Sequence, residues 1–232
     1  LILNHQASVL DQAARAERGI ETAESRAPHI ASPEVIADPQ NRRLLMFYHG
    51  LEYGKRQLSR VAESTDGIHF SPLPGTIPSP YLRGFEYGGK HYLIGMPGVL
   101  FRADEAAGPF EVRRHSLFEP RMRHMGVWLD GSTLYVFWSR VGDAPESILL
   151  SQVDLSPTDW NRWKATEGVA VMRPEDDWEG ADLPPLPSLR GELAGEANEL
   201  RDPYLFEDGD GQKYLLYVGR GEKAIGIARV KL

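Results

Sequence analysis

The chain has 232 residues, of which 41% are hydrophobic and 25% charged, so it is long enough and apolar enough to fold around a packed core. Its formal net charge of -7 and its singly scattered arginines argue against a general nucleic-acid binder, which needs clustered basic residues. The absence of cysteine excludes disulfides, thiolate metal sites and thiol nucleophiles.

Membrane and targeting signals are missing from the sequence. No apolar run reaches the roughly 18 to 20 residues of a membrane span, and no charged start precedes an apolar core. We therefore predict a soluble protein without a membrane partner, either cytoplasmic or secreted, and the sequence does not indicate its oligomeric state. Because the chain begins with Leu1 and not Met, we expect a fragment or a processed product.

The first 28 residues differ from the rest. Leu1–Leu3 is typical of a strand remnant, and residues 7–25 have the apolar spacing of a solvated linker helix. From His29 onward, short strands rich in β-branched and aromatic residues alternate with Gly, Asp, Asn and Pro. We therefore predict a linker segment over 1–28 and one all-β domain over 29–232.

Four stretches of this domain repeat one pattern, in which a small polar residue and a short apolar strand precede an acidic or glycine turn and an aromatic-rich strand. They begin at Ser32, Phe85, Val127 and Asp202. Repeats at roughly 40 to 75 residues are typical of a β-propeller, because one blade cannot bury both of its faces alone. The predicted blades span about 29–75, 80–118, 122–174 and 200–232, and a long acidic, proline-rich loop covers 175–199.

Individual strands are predicted within each blade. The first blade has strands at 34–37, 44–49, 58–64 and 69–70, the second turns at Gly88-Gly89, and the third turns at Asp130-Gly131 before strands at 147–154 and near Trp163. The last blade has only three strands, at 204–206, 214–218 and 224–230, and therefore an open edge. The ring would have four blades, or a fifth upstream of Leu1.

Residues at the start of each inner strand are predicted to surround the mouth of the propeller channel. Matching the repeats by their turns places Ser32, Arg83, His124 or Met125, and Asp202 at comparable positions, with His29, Glu34, Arg123 and Arg201 beside them. A ring of arginines, histidines and carboxylates is more polar than a structural axis requires. We expect Asp202, Arg123 and Glu34 to meet in one ligand pocket.

The segments that begin at Ser32 (Ser-Pro-Glu-Val) and at Arg201 (Arg-Asp-Pro-Tyr-Leu-Phe-Glu-Asp-Gly) resemble blade openings of the arabinanase, levansucrase and invertase superfamily. Members are five-bladed propeller glycosidases, including glycoside hydrolase family 43. The resemblance covers 29–232 and implies a five-bladed propeller whose first blade is partly or wholly absent from this chain.

The resemblance also implies a glycosidase that uses an Asp base, a second Asp that orients the substrate, and a Glu general acid. Such hydrolysis needs one protonated and one ionised carboxyl group. Asp202 matches an Asp-Pro opening, and Glu34 follows Ser-Pro where the family often has Asp-Pro. Glu179 and Glu199, beside the long loop, are the candidates for the acid.

Other side chains are candidates for substrate binding. Arg123, Arg140 and Arg201 could form paired hydrogen bonds to vicinal hydroxyls or to a carboxylate, and His29, Arg83 and His124 lie at the predicted mouth. Trp178, within an acidic stretch, could stack on a sugar ring. The histidines match no compact metal motif.

Three functions remain open from the sequence. A glycosidase acting on an oligosaccharide or smaller glycoside is favoured, and it requires no cofactor, although the resemblance would allow a structural calcium ion on the propeller axis. A non-catalytic carbohydrate-binding propeller is favoured by Glu34 in place of an Asp. A lactonase-type propeller would need a central calcium, and only Asn198 and a few acids lie near the proposed mouth.

Overall fold

A computed structural model describes residues 29–52, 56–191, 193 and 195–231. The predicted linker segment at 1–28 lies outside the described residues. The regular structure among the described residues is β-strands joined by turns and loops, together with short 3-10 helices at Pro39–Asn41, Trp160–Arg162 and Asp177–Glu179. They fall into two compact units, 29–117 and 118–231.

The first unit contains two four-stranded antiparallel sheets. One has the order β1-β2-β3-β4, and the other has the order β5-β6-β7-β8. The strands are β1 (Ile30–Asp38), β2 (Arg43–Glu52), β3 (Arg56–Ser64), β4 (Ser71–Pro72), β5 (Arg83–Tyr87), β6 (Lys90–Gly95), β7 (Val99–Ala103) and β8 (Glu111–Val112). Each sheet is a simple meander, which is the topology expected of a propeller blade.

The second unit contains a four-stranded sheet and a three-stranded sheet, both antiparallel. Their orders are β9-β10-β11-β12 and β13-β14-β15. The strands are β9 (Met122–Asp130), β10 (Thr133–Arg140), β11 (Ile148–Asp154), β12 (Val169–Met172), β13 (Leu200–Glu207), β14 (Lys213–Gly219) and β15 (Ala224–Val230). The predicted three-stranded last sheet is therefore confirmed.

Local sequence explains most of these elements. Gly88 and Gly89, with φ of 58° and 73°, form the two-residue turn between β5 and β6, where both positions need the left-handed region. The two-residue turn between β9 and β10 also contains a glycine with positive φ, Gly131 at 56°. The fourth strand of the third sheet was predicted near Trp163, and that prediction was wrong. Trp163 caps a 3-10 helix that starts from Asp159, and the outer strand is Val169–Met172.

Two blade openings share one backbone irregularity. Between Ala31 and Glu34 in β1, and between Arg201 and Tyr204 in β13, two residues lie opposite one residue of the partner strand. The first extra residue is Ser32 in one strand and Asp202 in the other, with φ of 51° and 49°. Because both precede a proline, which disfavours helical conformations, this backbone is strained in both places.

Each unit has its own apolar core. Leu45, Phe47, Leu93 and Phe101 lie in the core of the first unit, and β10 and β11 pack Phe137 and Ile148 against Leu205, Leu215 and Tyr217 in the second. The opposite face of the last sheet is apolar but exposed. Tyr204, Phe206, Ile225 and Ile227 lie on it, and Ile225 is 78% exposed.

Gly126 permits the close approach of β9 and β13. A Cβ at this position would lie 2.8 Å from the Pro203 carbonyl oxygen and 3.0 Å from the Tyr204 Cα. Both are backbone atoms, so the strands themselves would have to separate. This approach brings the middle of β9 beside the β13 bulge.

We predict that Gly126→Ala lowers the free energy of unfolding by about 1 to 3 kcal/mol, because it overpacks a contact between two backbones. Gly209→Ala is the matched control, since a Cβ there meets nothing within 4 Å. Urea titration of both variants measures the difference. Equal stability of the two would contradict the close packing of β9 on β13.

Candidate functional site

The predicted site residues are divided between the two units. His29, Glu34 and Arg83 belong to the first unit, and the others belong to the second, namely Arg123, His124, Arg140, Trp178, Glu179, Glu199, Arg201 and Asp202. The convergence of Asp202, Arg123 and Glu34 in one pocket concerns both units and stays a prediction.

Asp202 meets His124 across the β9–β13 contact. The Asp202 carboxylate contacts Nδ1 of His124, and the two side chains are 37% and 9% exposed. The strained Asp202 backbone projects this carboxylate to the position where His124 can meet it. The arrangement keeps a half-buried carboxylate and an imidazole in one orientation.

A buried ionic cluster lies next to this pair. It consists of Arg123, Arg201, Glu146 and Glu199, whose side chains are at most 5% exposed. Arg123 Nη1 lies 3.2 Å from Glu146 Oε2, and Arg201 Nε lies 3.6 Å from the same oxygen. Arg201 Nη2 contacts Glu199, and Arg201 Nη1 lies 3.0 Å from Glu222 Oε1.

The two buried carboxyl groups have opposite pKa shifts. Burial raises the pKa of Glu199, and the charge of Arg201 offsets only part of that rise. Burial also opposes ionisation of Glu146, but the charges of Arg123 and Arg201 outweigh it and hold the pKa of Glu146 below its usual value. Separated pKa values in neighbouring carboxyl groups are what acid and base chemistry requires, although Glu146 itself is fully buried.

The same arginines hold the loop that precedes β13. Arg123 donates hydrogen bonds to the carbonyls of Leu189 (2.9 Å) and Gly191 (3.2 Å), and Arg201 donates to both carbonyls as well. Residues of this loop line a partly open pocket of about 370 Å³. Its wall is mostly apolar, from Leu183, Pro184, Leu186, Pro187, Leu189 and Leu193, and Asn198 and Glu199 also line it.

Glu179 and Trp178 lie on the 3-10 helix earlier in this loop. Glu179 is buried and accepts hydrogen bonds from the amides of Glu175 (2.8 Å) and Asp176 (3.2 Å) and from the Tyr217 hydroxyl (2.6 Å). This carboxylate therefore anchors the loop to β14. Trp178 is 42% exposed, as a residue that stacks on a sugar would need to be.

Arg140 is held by two carboxylates. Its Nε donates to both oxygens of Asp143, at 2.9 and 3.0 Å, and its Nη1 donates to Glu119 Oε1 at 3.1 Å. Those bonds fix the orientation of the guanidinium group and use its Nε–H and one Nη1–H donor.

In the first unit, Glu34 and Arg83 lie side by side. Glu34 Oε1 accepts a hydrogen bond from the Gly84 amide at 3.0 Å, and Oε2 lies 3.7 Å from Arg83 Nη1. Burial raises the pKa of Glu34 despite these two partners. His49 is fully buried nearby, with its ring centroid 4.3 Å from Tyr81 and 6.0 Å from His29, and burial lowers the pKa of His49 to about 4.

Sequence reasoning missed Glu146 and Tyr217. Glu146 precedes β11 in the chain. It contacts Arg123, which lies 23 positions earlier, and Arg201, which lies 55 positions later, so only the fold brings the three together. An acidic residue between Pro145 and a strongly apolar strand was the one available signal.

Within the described ranges, no three His, Asp or Glu side chains are grouped so as to hold a metal ion. In the same ranges, no helix is long and apolar enough to cross a membrane.

Several solved glycoside hydrolases have a similar fold. A thermostable family-43 glycoside hydrolase superposes with a TM-score of 0.62 at 15% identity, over 90% of this chain and 70% of that one. An endo-arabinase from Bacteroides thetaiotaomicron VPI-5482 gives 0.59 at 13% identity, over 88% and 75%. An exo-β-1,3-galactanase from Phanerochaete chrysosporium gives 0.59 at 10% identity, over 88% and 47%.

At these identities the likeness shows the fold alone, and it confirms the predicted all-β propeller class. No family model matches the chain. A curated relative, the uncharacterized protein R118 of Acanthamoeba polyphaga mimivirus, is 33% identical over 222 residues. That match covers 87% of this chain and 61% of the relative, so the chain spans less than two thirds of the relative's length.

We predict that Arg201→Met lowers the free energy of unfolding by about 3 to 5 kcal/mol, because it leaves the buried carboxylates short of one positive charge. Arg121→Gln, which breaks only the exposed pair with Glu119, should cost at most about 1 kcal/mol. Chemical denaturation of both variants compares them. Equal losses would contradict the buried cluster.

A second prediction concerns pH and Glu34. Because the folded pKa of Glu34 is raised above the ordinary 4.5, the native protein loses stability as pH rises from that value through the folded pKa. Glu34→Gln keeps an acceptor for the Gly84 amide and cannot ionise. Its melting temperature relative to the wild type should therefore rise over this pH window and then level off.

Thermal melts between pH 4 and 8 measure this difference. Glu105→Gln, at an exposed position of the same unit, is the control and should follow the wild type. A constant offset between Glu34→Gln and the wild type at every pH would refute the raised pKa.

Proposed function

We propose that this chain is a glycoside hydrolase-like propeller, which cleaves the glycosidic bond of an oligosaccharide or smaller glycoside by carboxylate acid and base catalysis. One observation carries the proposal. Two carboxyl groups lie within the four residues 199–202, where β13 begins. Glu199 is buried and has a raised pKa, and Asp202 is half-buried and paired with His124. The glycoside hydrolases that share the fold support this assignment.

Glu199 is proposed as the general acid. Because its pKa is raised, Glu199 stays protonated at higher pH than an exposed glutamate does. It donates this proton to the glycosidic oxygen as the bond to the anomeric carbon breaks. Arg201, in contact with the carboxyl group, then stabilises the carboxylate that remains.

Asp202 is proposed as the base. It accepts a proton from the water whose oxygen forms the new bond to the anomeric carbon, and His124 holds the carboxylate in place. The products are a free sugar and the leaving alcohol, and the proton on Asp202 returns to Glu199 through solvent. Inversion would need the two carboxyl groups roughly 6.5 to 9.5 Å apart, and retention about 5 to 5.5 Å.

The remaining candidates would bind substrate. Trp178 offers an exposed ring for stacking, whereas Arg140 and Glu179 are held in hydrogen bonds that serve the fold. His29, Arg83 and Arg123 stay proposed contacts. A calcium ion on the propeller axis also stays a proposal, which elemental analysis of purified protein would test.

A non-catalytic carbohydrate-binding propeller is the second candidate. It is favoured by the first blade opening, where Ser32 occupies the bulge position that Asp202 has in the last sheet. The nearest carboxyl group in that strand, Glu34, is buried against Gly84 and Arg83. A blade opening without an accessible carboxylate suits binding better than hydrolysis.

We predict that Glu199→Gln and Asp202→Asn each lower kcat by about 10² to 10⁴-fold, because each removes one proton-transfer group. The assay uses aryl glycosides together with arabino- and galacto-oligosaccharides, the sugars named for the similar structures. Glu207→Gln and Asp210→Asn, exposed on the same strand and the next turn, are the matched controls and should keep full activity.

The pH profile gives an independent measure. The kcat/KM of the wild type should fall as pH rises through the raised pKa of Glu199, since the protonated acid is lost. Undiminished turnover by both variants would remove the two assignments. Retention of glycans by the wild type without any product release would support the binding alternative.

A further inference from the structure

The pocket beside Glu199 is lined mostly by apolar side chains. Its wall comes mostly from four leucines and two prolines of the loop before β13, and Leu186 is 57% exposed. Ala197 and Glu196 also line it, and the Glu196 carboxylate is paired with Arg220. Its volume is about 370 Å³. Since a cavity of roughly 150 Å³ can hold benzene, this pocket has room for an aromatic ring with substituents.

Asn198 also lines this pocket, and among the described residues one acceptor of its side-chain amide is unused. Its Nδ2 donates to the Leu183 carbonyl at 2.8 Å, which fixes the orientation of the side-chain amide. Its Oδ1 is buried and accepts no hydrogen bond from the part of the chain that the structure describes. A buried acceptor left without a donor destabilises a structure, so a ligand that brings a hydroxyl group gains by filling this position.

Glu199 lies at the same wall, next to Asn198 in the chain. The pocket therefore combines an apolar surface, one fixed acceptor and the carboxyl group that we assign as the general acid. An alcohol with an apolar body is the chemical class that satisfies all three.

We propose that this pocket receives the leaving group of the glycoside, and that the leaving group is an alcohol with an aromatic or aliphatic body. The inference rests on the proposed function and names its substrate class. The apolar body packs on the leucines and prolines, and the glycosidic oxygen lies toward Glu199.

The pocket also suits the product of the cleavage. When the bond between the anomeric carbon and the oxygen breaks, the proton from Glu199 turns that oxygen into a hydroxyl group, and water supplies the hydroxyl of the free sugar. The new hydroxyl can donate to Asn198 Oδ1 or to the Glu199 carboxylate. Both residues line the pocket that holds the apolar body.

Two isomeric probes test the pocket without any need for turnover. The two compounds have the same molecular formula, but 4-methylphenol has a hydroxyl group that can donate a hydrogen bond and methoxybenzene has none. We expect 4-methylphenol to bind the wild type in the millimolar range and about tenfold more tightly than methoxybenzene, as one hydrogen bond to a buried acceptor predicts. Saturation-transfer NMR titration measures both.

A pair of variants locates the binding. Leu186→Ser removes an exposed part of the apolar wall and should weaken 4-methylphenol about fivefold. Ile227→Ser replaces an exposed aliphatic residue of β15 and should have no effect. Melting temperatures near that of the wild type confirm that both variants are folded.

The outcomes separate the inference from the proposed function. Equal binding of the two isomers, no binding of 4-methylphenol, or binding unchanged by Leu186→Ser overturns the inference, even if the protein hydrolyses glycosides. Binding that depends on both the hydroxyl group and Leu186 supports the inference. If no glycoside is then hydrolysed, the acid and base assignments fail and the alcohol pocket stands.

Discussion

The buried pairing of Arg123 and Arg201 with Glu146 and Glu199 constrains the whole second unit. Buried charges are tolerated only when they are paired, so β9, β13 and the segment before β11 must meet with little freedom. The same guanidinium groups donate to the carbonyls of Leu189 and Gly191 and so fix the loop before β13. The cluster thus offsets part of the rise that burial causes in the pKa of Glu199, and it fixes the loop that lines the pocket beside it.

Local patterns in the sequence predicted the sheets well, because strand alternation and glycine turns depend on neighbouring residues. The prediction at Trp163 failed because an aromatic residue suits a buried loop as well as a strand, and Asp159 caps a 3-10 helix there. The partners of the site could be predicted less well. Nothing in the spacing of Glu146, Arg123 and Arg201 indicates that they meet, since three separate segments bring them together.

The two proline bulges show how one backbone device carries different chemistry. Ser32 and Asp202 share the same left-handed conformation and the same place in their sheets. Only Asp202 brings a carboxylate, and its partner His124 comes from the neighbouring sheet. Function in this fold therefore depends on the side chains that each opening presents, and propellers with the same sheets can differ in activity.

The outer strand of the last sheet has a practical consequence for handling the protein. Within the described residues β15 pairs with β14 alone, so its other edge is unpaired. The outer face of the same sheet exposes Ile225, Ile227 and Phe206 to solvent. Exposed edges of this kind recruit further strands unless charge or a covering element blocks them, and Arg229 lies on the same face as Ile225 and Ile227. Within the described residues, this edge is therefore open to pairing with a strand of a second copy.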